Sequence, residues 1–329
     1  MTPNPPTRRP FLLVMSALIA GLSAVPATVM AQPWPDKSVR IIVPFPPGGG
    51  TDIIGRQLGQ KLTENLGQPF VVDNRPGAGG TLGTEAAARS AANGYTLLLV
   101  SASYSVNPSL YQLAYDPLGE LAPISLLASV PFVLVTSPSS GIDSVAQLIA
   151  IAKEKPGTIN FASSGNGSAP HLAGEMLSLS TGMKMVHIPF KGGAPALTEV
   201  IAGRVQLLFS TVTQALPFIK GGKLKALAVS SRKRATALPD VPTVEESGVA
   251  NFDIVDWFGV LAPKATTAPV LSKLSDEITR AVSSVDLKAR LVAEGFDVIA
   301  STPEEFDRVL RRDMDMYGRV VKAANVKIE

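Results

Sequence analysis

The stretch 39–52 constrains the chain most, because a short apolar run breaks there at Pro-Phe-Pro-Pro and passes through three glycines. Its β-branched residues favour a strand, which ends near Phe45 because proline cannot donate to a sheet ladder. Glycines at 48–50 allow backbone conformations closed to other residues. Thr51 or Asp52 is expected to cap a helix that runs to residue 66. Such a helix start offers free N–H groups to an anion, although the same pattern also suits a tight turn without a ligand.

The first 31 residues predict a cleavable leader. Arg8 and Arg9 precede an apolar run at 11–25, which is shorter than the ~20 residues needed to span a bilayer. Residues 29–31, Val-Met-Ala, suit signal peptidase, so we expect the mature chain to begin at Gln32. The twin basic residues fit both a Sec leader and a twin-arginine leader, and the export route stays open. The expected destination is the periplasm.

Composition narrows the possible partners. The chain has 30 Lys plus Arg against 27 Asp plus Glu, and removing the two leader arginines leaves 28 against 27. A nearly neutral mature protein gives no indication of nucleic acid or a membrane surface as a partner. The chain contains no cysteine, which excludes disulfides, thiolate catalysis and cysteine metal sites.

The pattern along the chain predicts two α/β units. The first is βαβαβ, which indicates a parallel sheet covered by helices, with strands at 39–45, 70–74 and 96–101 and helices at 51–66 and 81–92. An irregular loop or hairpin is expected at 103–121, followed by a strand at 130–136. The second unit has helices expected at 144–155, 171–181 and 194–202 and strands at 158–162, 184–190, 205–209 and 224–230, with a short helix between the last two strands. Further along, the pattern predicts a strand at 252–262, a helix from Pro269, and a capping box at Thr302 and Glu305 before a long final helix.

The first glycine turn has an echo in the second unit. Residues 42–49 are Ile-Val-Pro-Phe-Pro-Pro-Gly-Gly, and residues 187–193 are His-Ile-Pro-Phe-Lys-Gly-Gly. In each, a β-type run ends in Pro-Phe and is followed by glycines and a helix. Ligands in open α/β sheets sit beyond the carboxyl ends of strands. The two turns are therefore expected to converge on one cleft between two domains.

Other side chains near these turns suit a carboxylate ligand. The turn 163–168, Ser-Ser-Gly-Asn-Gly-Ser, offers hydroxyls and N–H groups before a helix, although it is equally a flexible turn. Lys191 adds a cation, or else is a solvated surface lysine. Phe45 and Phe190 are expected either to wall an apolar ligand body or to pack in the core.

Signatures of enzymes are missing from the sequence. It has no G-x-S-x-G elbow, no H-E-x-x-H and no phosphate-binding loop. His187 lies within a predicted strand, where a packed imidazole is the expected role, whereas His171 at a helix start is either ligand-facing or the base of a hydrolase. Two lone histidines give no metal-ligand spacing. The sequence therefore predicts no metal and no cofactor.

Several segments in a characteristic order carry a resemblance: Trp34-Pro-Asp-Lys-Ser-Val-Arg-Ile, Val43-Pro-Phe-Pro-Pro-Gly-Gly-Gly-Thr-Asp52, Asn74-Arg-Pro-Gly-Ala-Gly-Gly80, Gly94-Tyr-Thr-Leu, Asn107-Pro-Ser-Leu-Tyr111, Pro189-Phe-Lys-Gly-Gly193, Pro239-Asp-Val-Pro-Thr243 and Trp257-Phe-Gly-Val-Leu-Ala-Pro263. Over essentially the whole mature chain, the sequence resembles the Bug-type periplasmic receptors of tripartite tricarboxylate transporters. The resemblance implies an α/β two-domain periplasmic binding protein, or Venus flytrap, in which each domain is a mostly parallel sheet flanked by helices. It also implies capture of a small organic acid and delivery to a two-component integral membrane permease, and we expect a monomer.

The expected domains are residues 32–131 together with 253–329, and residues 132–252, with the ligand in the cleft between them. By resemblance, the ligand lies between the first glycine loop and the two turns of the second domain. Ser210 departs from the family, since many relatives carry Asp there, and its uncharged side chain indicates a bulkier or less amine-like acid. The predicted ligand-binding residues are Phe45, Pro46, Gly48, Gly49, Ser103, Ser163, Ser164, Gly167, Ser168, His171, Phe190, Lys191, Gly192, Ser210 and Asp256.

Two other functions fit parts of the sequence. The first is an exported hydrolase that acts on a small carboxylate with His171, and the second is the sensing module of a signalling receptor. The missing catalytic motifs disfavour the enzyme, and the missing second membrane segment disfavours the sensor.

Overall fold

The computed structural model describes residues 1–2 and 34–328. The predicted leader therefore lies outside the described residues, apart from its first two. Ten strands belong to one sheet: β1 (Val39–Val43), β2 (Phe70–Asn74), β3 (Thr96–Ser101), β4 (Leu121–Thr136), β5 (Ile159–Ser163), β6 (Met185–Pro189), β7 (Leu207–Thr211), β8 (Lys225–Val229), β9 (Val255–Pro263) and β10 (Asp297–Val298).

The helices flank this sheet. They are α1 (Gly50–Leu66), α2 (Thr81–Ala88), α3 (Ser103–Leu110), α4 (Val145–Glu154), α5 (Ala169–Thr181), α6 (Gly193–Ile201), α7 (Val212–Lys220), α8 (Ala268–Ser283), α9 (Val285–Ala293) and α10 (Pro303–Ala323). The alternation of strands and helices confirms the predicted α/β class.

Each end of the sheet is a parallel βα unit. At one end β1 lies between β2 and β3, with Val39 opposite Phe70 and Arg40 opposite Thr96. At the other end β5 lies between β6 and β7. The antiparallel strands β9 and β4 join the two ends, so that the order is β2-β1-β3-β9-β4-β7-β5-β6. The sheet is therefore mixed, with its parallel parts where the repeated βα pattern predicted them.

The strand β4 changes partners midway. Up to Pro131 it pairs antiparallel with β9, where Pro131 lies opposite Val255. From Phe132 onward it pairs with β7 and β8, with Phe132 opposite Thr211. The sequence predicted only its last part, 130–136, because the earlier residues include Pro123 and alternate poorly.

Separate apolar clusters pack on the two halves of the sheet. In the first half, α1 and α8 bury residues such as Ile54 and Ile278 against β1, β3 and β9. In the second half, α4 and α5 bury residues such as Leu148 and Leu172 against β5 and β7. The helix α10 contributes Phe306 to a cluster of the first half and Tyr317 to a cluster of the second. The cores of both halves therefore depend on one helix.

Two local expectations were wrong, and two elements were not predicted. Residues 103–110 form α3 instead of an irregular loop, because tertiary contacts bury Tyr104 and Val106 and outweigh the weak helix propensity of Ser, Asn and Pro. The helix α9 and the short strand β10 were not expected. The α1 N-cap is Gly49, without a side-chain cap, instead of Thr51 or Asp52.

The capping box of α10 is confirmed. The Thr302 hydroxyl accepts a hydrogen bond from the Glu305 N–H at 3.2 Å, and the Glu305 carboxylate accepts one from the Thr302 N–H at 2.9 Å. This reciprocal pair satisfies two N–H groups at the helix start.

We predict that Gly259→Ala destabilises the protein by about 1–3 kcal/mol, the usual cost of overpacking a core. A Cβ at this position of β9 would lie 2.2 Å from Cζ of Phe306, which is fully buried, so the ring or the strand must shift. The measurement is the free energy of unfolding in denaturant.

The matched control is the same change in a Phe306→Leu background. The smaller side chain relieves the clash, so the double variant should be more stable than the sum of the two single effects implies. Additive effects would show that the clash does not account for the loss.

Candidate functional site

A cleft opens where β4 changes partners. It has two connected parts, of about 230 Å³ and about 500 Å³, which share Phe45, Ser101, Ser164, Thr211, Gln214 and Asp256. Ser101 and Thr211 are the last residues of β3 and β7. The cleft therefore lies at the carboxyl ends of parallel strands from both halves of the sheet, where ligands of open α/β proteins bind.

The loop between β1 and α1 forms one wall, and a buried carboxylate holds it. Asp52 Oδ2 accepts hydrogen bonds from the Gly48 N–H at 2.9 Å and from Arg56 Nε at 3.0 Å, and Asp52 Oδ1 accepts one from Asn74 Nδ2 at 3.0 Å. Burial alone would raise the pKa of Asp52, but these hydrogen bonds outweigh it and hold the pKa below its usual value. The ionised Asp52 therefore fixes the loop that carries Phe45.

Four helices begin at the cleft with free backbone N–H groups. Their N-cap residues are Gly49 for α1, Ser168 for α5, Gly192 for α6 and Thr211 for α7, and all four line the cleft. In the part of the chain that the structure describes, none of these residues caps its helix through a side chain. The positive ends of four helix dipoles consequently face one space, which favours a negatively charged ligand.

The serine-glycine turn 163–168 forms part of the opposite wall. Ser163 is fully buried, and its Oγ lies 2.6 Å from His187 Nε2 and 3.1 Å from the Gly165 nitrogen, which donates to it. His171 Nδ1 accepts a hydrogen bond from the Gly167 N–H at 3.0 Å. These contacts support the turn from behind, while Ser164 and Ser168 line the cleft.

The two histidines stack on each other behind this turn. The rings of His171 and His187 lie 3.6 Å apart between centroids and are nearly parallel. Burial first, and then the neighbouring His171, lower the pKa of His187 to about 3. A neutral His187 packed against Phe161 agrees with the expectation of a packed imidazole.

The predicted ligand-binding residues divide into two groups. Those that line the cleft are Phe45, Pro46, Gly49, Ser103, Ser164, Ser168, Gly192, Ser210 and Asp256. Those outside its lining are Gly48, Ser163, Gly167, His171, Phe190 and Lys191. Most of the second group support the loops, but Lys191 is exposed.

Sequence reasoning missed several residues of the cleft. Ser101 and Thr211 could have been found, because each ends a parallel strand of a predicted βα unit. Gln214 lies one turn into α7 and carries no such signal. Phe132, Phe209, Phe258 and Phe296 supply apolar lining, and apolar core patterns do not reveal which of these rings borders a cavity.

The charge of the cleft is unusual for an anion site. Among the described residues that line its two parts, Asp256 is the one charged side chain. Burial raises the pKa of Asp256 to about 6, against the opposing effect of hydrogen bonds from the Ala102 and Trp257 N–H groups. The site therefore offers backbone N–H groups, hydroxyls and one desolvated carboxylate.

Among the described residues, none of the helices is long and apolar enough to cross a membrane. No group of three or more His, Asp or Glu residues there is arranged to hold a metal ion.

The fold is that of the two-domain periplasmic binding proteins, as the sequence predicted. Residues 54–326 match the family described as Tripartite tricarboxylate transporter family receptor. The chain therefore belongs to the receptors of the tripartite tricarboxylate transporter family, and the predicted resemblance is confirmed.

Individual relatives agree with this assignment. Protein BugT of Bordetella pertussis is 38% identical over 324 residues, covering 97% of this chain and 98% of BugT. A solved structure from R. palustris with adipate is 30% identical, covers 89% of this chain and 99% of its own, and superposes with a TM-score of 0.78. MatC from Rhodopseudomonas palustris with bound malate is 28% identical, covers 88% and 100%, and has a TM-score of 0.75. Relatives of this family are solute-binding receptors, and the hydrolase alternative gains no support from them.

We predict that Asp52→Asn destabilises the protein by about 1–3 kcal/mol at neutral pH, because an amide cannot accept all the hydrogen bonds that the carboxylate accepts and leaves a buried donor unpaired. The pKa of Asp52 is lowered in the folded state, so its contribution is present above about pH 4 and is lost as the pH falls through the folded pKa. The measurement is the free energy of unfolding of both proteins from pH 7 to pH 3.

The difference between wild type and variant should shrink toward the acid end. A difference that stays constant over this range would show that the charge of Asp52 does not hold the loop. Glu64→Gln, at an exposed position of the same helix, is the control.

Proposed function

We propose that this protein is a periplasmic receptor that captures a small organic acid and delivers it to a two-component integral membrane permease. One observation carries the proposal: four helices present uncapped N-termini to a single cleft lined by serine and threonine hydroxyls. Free N–H groups and hydroxyls bind a carboxylate without a basic side chain, and each hydrogen bond to a charged group contributes about 1.5–3 kcal/mol. The adipate and malate in the structures of relatives support the same ligand class.

The proposal includes the arrangement of the whole molecule. Residues 1–31 are removed on export, residues 32–131 and 253–329 form the first domain, and residues 132–252 form the second. The two domains close on the ligand about the strands that cross between them. The protein acts as a monomer and is not an enzyme. Support for the domain bounds comes from β4, whose pairing changes between Pro131 and Phe132.

The size of the cleft fits a small ligand. Ligand sites occupy about 300–1,000 Å³, and the two connected parts, of about 230 Å³ and about 500 Å³, lie within that range together. Phenylalanine rings line the cleft beside the polar groups. An acid with a short carbon body satisfies both kinds of surface.

We predict that converting the carboxylate of a bound acid to its amide weakens binding at least tenfold. The amide carries no charge for the helix N-termini to stabilise, and 1.4 kcal/mol corresponds to a factor of ten. Isothermal titration calorimetry with the acid and its amide measures this. Equal affinities would overturn the assignment as a carboxylate receptor.

We also expect Gly192→Val to weaken binding of the acid more than Lys191→Ala does. Gly192 has φ of +116° at the N-cap of α6, so a β-branched residue strains the backbone whose N–H groups face the ligand. Lys191 is exposed and lies outside the lining of the cleft, so its removal should change the affinity less than tenfold. A larger loss for Lys191→Ala would show that a salt bridge provides the recognition. Circular dichroism of both variants checks that the fold is retained.

The leader provides a separate prediction. Intact-mass spectrometry of the exported protein should give the mass of residues 32–329. A mass that retains residues 11–25 would contradict release into the periplasm.

A further inference from the structure

The part of the cleft around Asp256 is rich in hydrogen-bond acceptors. Ser101 and Ser103 flank Ala102, and their hydroxyl oxygens lie 3.2 Å apart. The Asp256 carboxylate faces the same backbone, since its Oδ1 accepts a hydrogen bond from the Ala102 N–H at 3.3 Å. All three side chains line the smaller part of the cleft. Three acceptor groups thus converge where a ligand is expected.

The carboxylate of Asp256 has no cation to balance it among the described residues. Its pKa is shifted by burial and by two backbone hydrogen bonds, with no contribution from a lysine or an arginine. Other acidic residues nearby have basic partners: Asp253 lies 3.3 Å from Arg232, and Asp313 lies 2.8 Å from Arg312. A carboxylate left unpaired in a partly closed cleft costs free energy unless a ligand supplies its partner.

Capping of α3 does not explain why residue 256 is a charged Asp. The one backbone contact of Asp256 with α3 is the long hydrogen bond to Ala102 N–H, and a neutral serine or asparagine oxygen accepts such a bond equally well. The structural role of the position therefore requires an acceptor, but it does not require an ionised one.

We propose that Asp256, with Ser101 and Ser103, binds a protonated nitrogen of the ligand, so that the receptor selects an acid that also carries an amino group. The inference rests on the proposed carboxylate-receptor function and adds a second recognition point to it. An ammonium group has three N–H donors and no acceptor, which matches one carboxylate and two hydroxyls. The carboxylate of the same ligand binds at the helix N-termini of the second half, where donors converge instead.

Position 210 does not contradict this inference. The expectation of a less amine-like acid rested on the uncharged Ser210 alone. Ser210 and Asp256 line the same part of the cleft. Asp256 supplies a negative charge there, so that part of the cleft does not need an Asp at position 210 to carry one.

The test uses matched pairs of acids that differ by one amino group. Calorimetry on the mature protein compares succinate with aspartate, glutarate with glutamate, butyrate with 4-aminobutyrate and propionate with 3-aminopropionate. For every pair that binds, the amino acid should bind at least tenfold more tightly than the plain acid. Asp256→Asn should remove that preference by weakening the amino acid while leaving the plain acid equal or tighter. Asp276→Asn, which removes an exposed carboxylate on α8, should change neither.

The dependence on pH gives an independent readout. Besides the Ala102 and Trp257 N–H groups, the titratable side chain among the described residues that senses the charge of Asp256 is Tyr317 of α10; burial raises its pKa well above 10, so it stays neutral throughout. Since Asp256 must be ionised to bind the ammonium group, affinity for the amino acid should fall about tenfold between pH 7.5 and pH 5. In Asp256→Asn this fall should disappear.

The outcomes separate the two proposals. Binding of plain acids in preference to their amino partners, or a preference that survives Asp256→Asn, would overturn the role of Asp256 and leave the carboxylate receptor intact. Tighter binding of a plain acid at pH 5 would indicate instead that a protonated Asp256 donates to a ligand carboxylate. Failure of every acid and amino acid to bind would count against the receptor assignment and, with it, this inference.

Discussion

The rest of the structure depends on Ser230, whose hydrogen bonds join the two chain segments that pass between the halves of the sheet. Pro131 has no N–H to give to the ladder, and the Phe132 N–H donates to the Ser230 hydroxyl at 2.9 Å instead of to a strand. The same hydroxyl donates to the Ile254 carbonyl, and the Ser230 N–H donates to the Phe132 carbonyl. One fully buried side chain therefore ties β4 to the segment before β9 at the point where β4 leaves one half of the sheet for the other. Because both connections pass through this point, the carboxyl ends of strands from the two halves face each other, and the cleft follows.

This geometry explains how the cleft attracts an anion without a basic side chain. Helices that follow parallel strands begin at the carboxyl edge, so each βα unit directs its N-terminus into the same space. Their N–H groups are fixed by the backbone and need no side-chain ordering, whereas a flexible lysine such as Lys191 would lose rotamer entropy on binding. Asp52 is itself a carboxylate that accepts a hydrogen bond from a backbone N–H group, and it holds the loop between β1 and α1 instead of contacting the ligand. The hydrogen bond that Asp52 accepts from the Gly48 N–H holds the loop, and Arg56 balances the charge of Asp52 itself.

The predictable parts of this molecule are the local ones. The parallel units around Val39 and Ile159 were predicted because apolar periodicity and glycine turns are patterns of consecutive residues. The capping box of Thr302 was predicted for the same reason. The helix α3 was missed because contacts with distant segments hold it: Asn107 Nδ2 donates to the Gly79 carbonyl, and Tyr104 packs in a core built by β9 and α10. In the site, loop glycines and serines were predicted from their motif, but their division between lining and support was not. Gln214 and the inward face of Phe209 depend on how two halves of the sheet are set together, which no local pattern encodes.

The position of Asp256 shows how structure and recognition compete for the same residue. It stands on β9 opposite Val130, next to the place where β4 changes partners, and it bridges to the start of α3 through Ala102. An ionised group there loses hydration, which is why burial raises its pKa to about 6. Since a half-buried carboxylate is stabilised more by a partner charge than by the neutral hydrogen bonds from the Ala102 and Trp257 N–H groups, the chain retains an energetic cost that stability alone does not require. A cleft that combines this acceptor with backbone donors at helix N-termini offers groups of both kinds, and a ligand with both signs of charge is their complement.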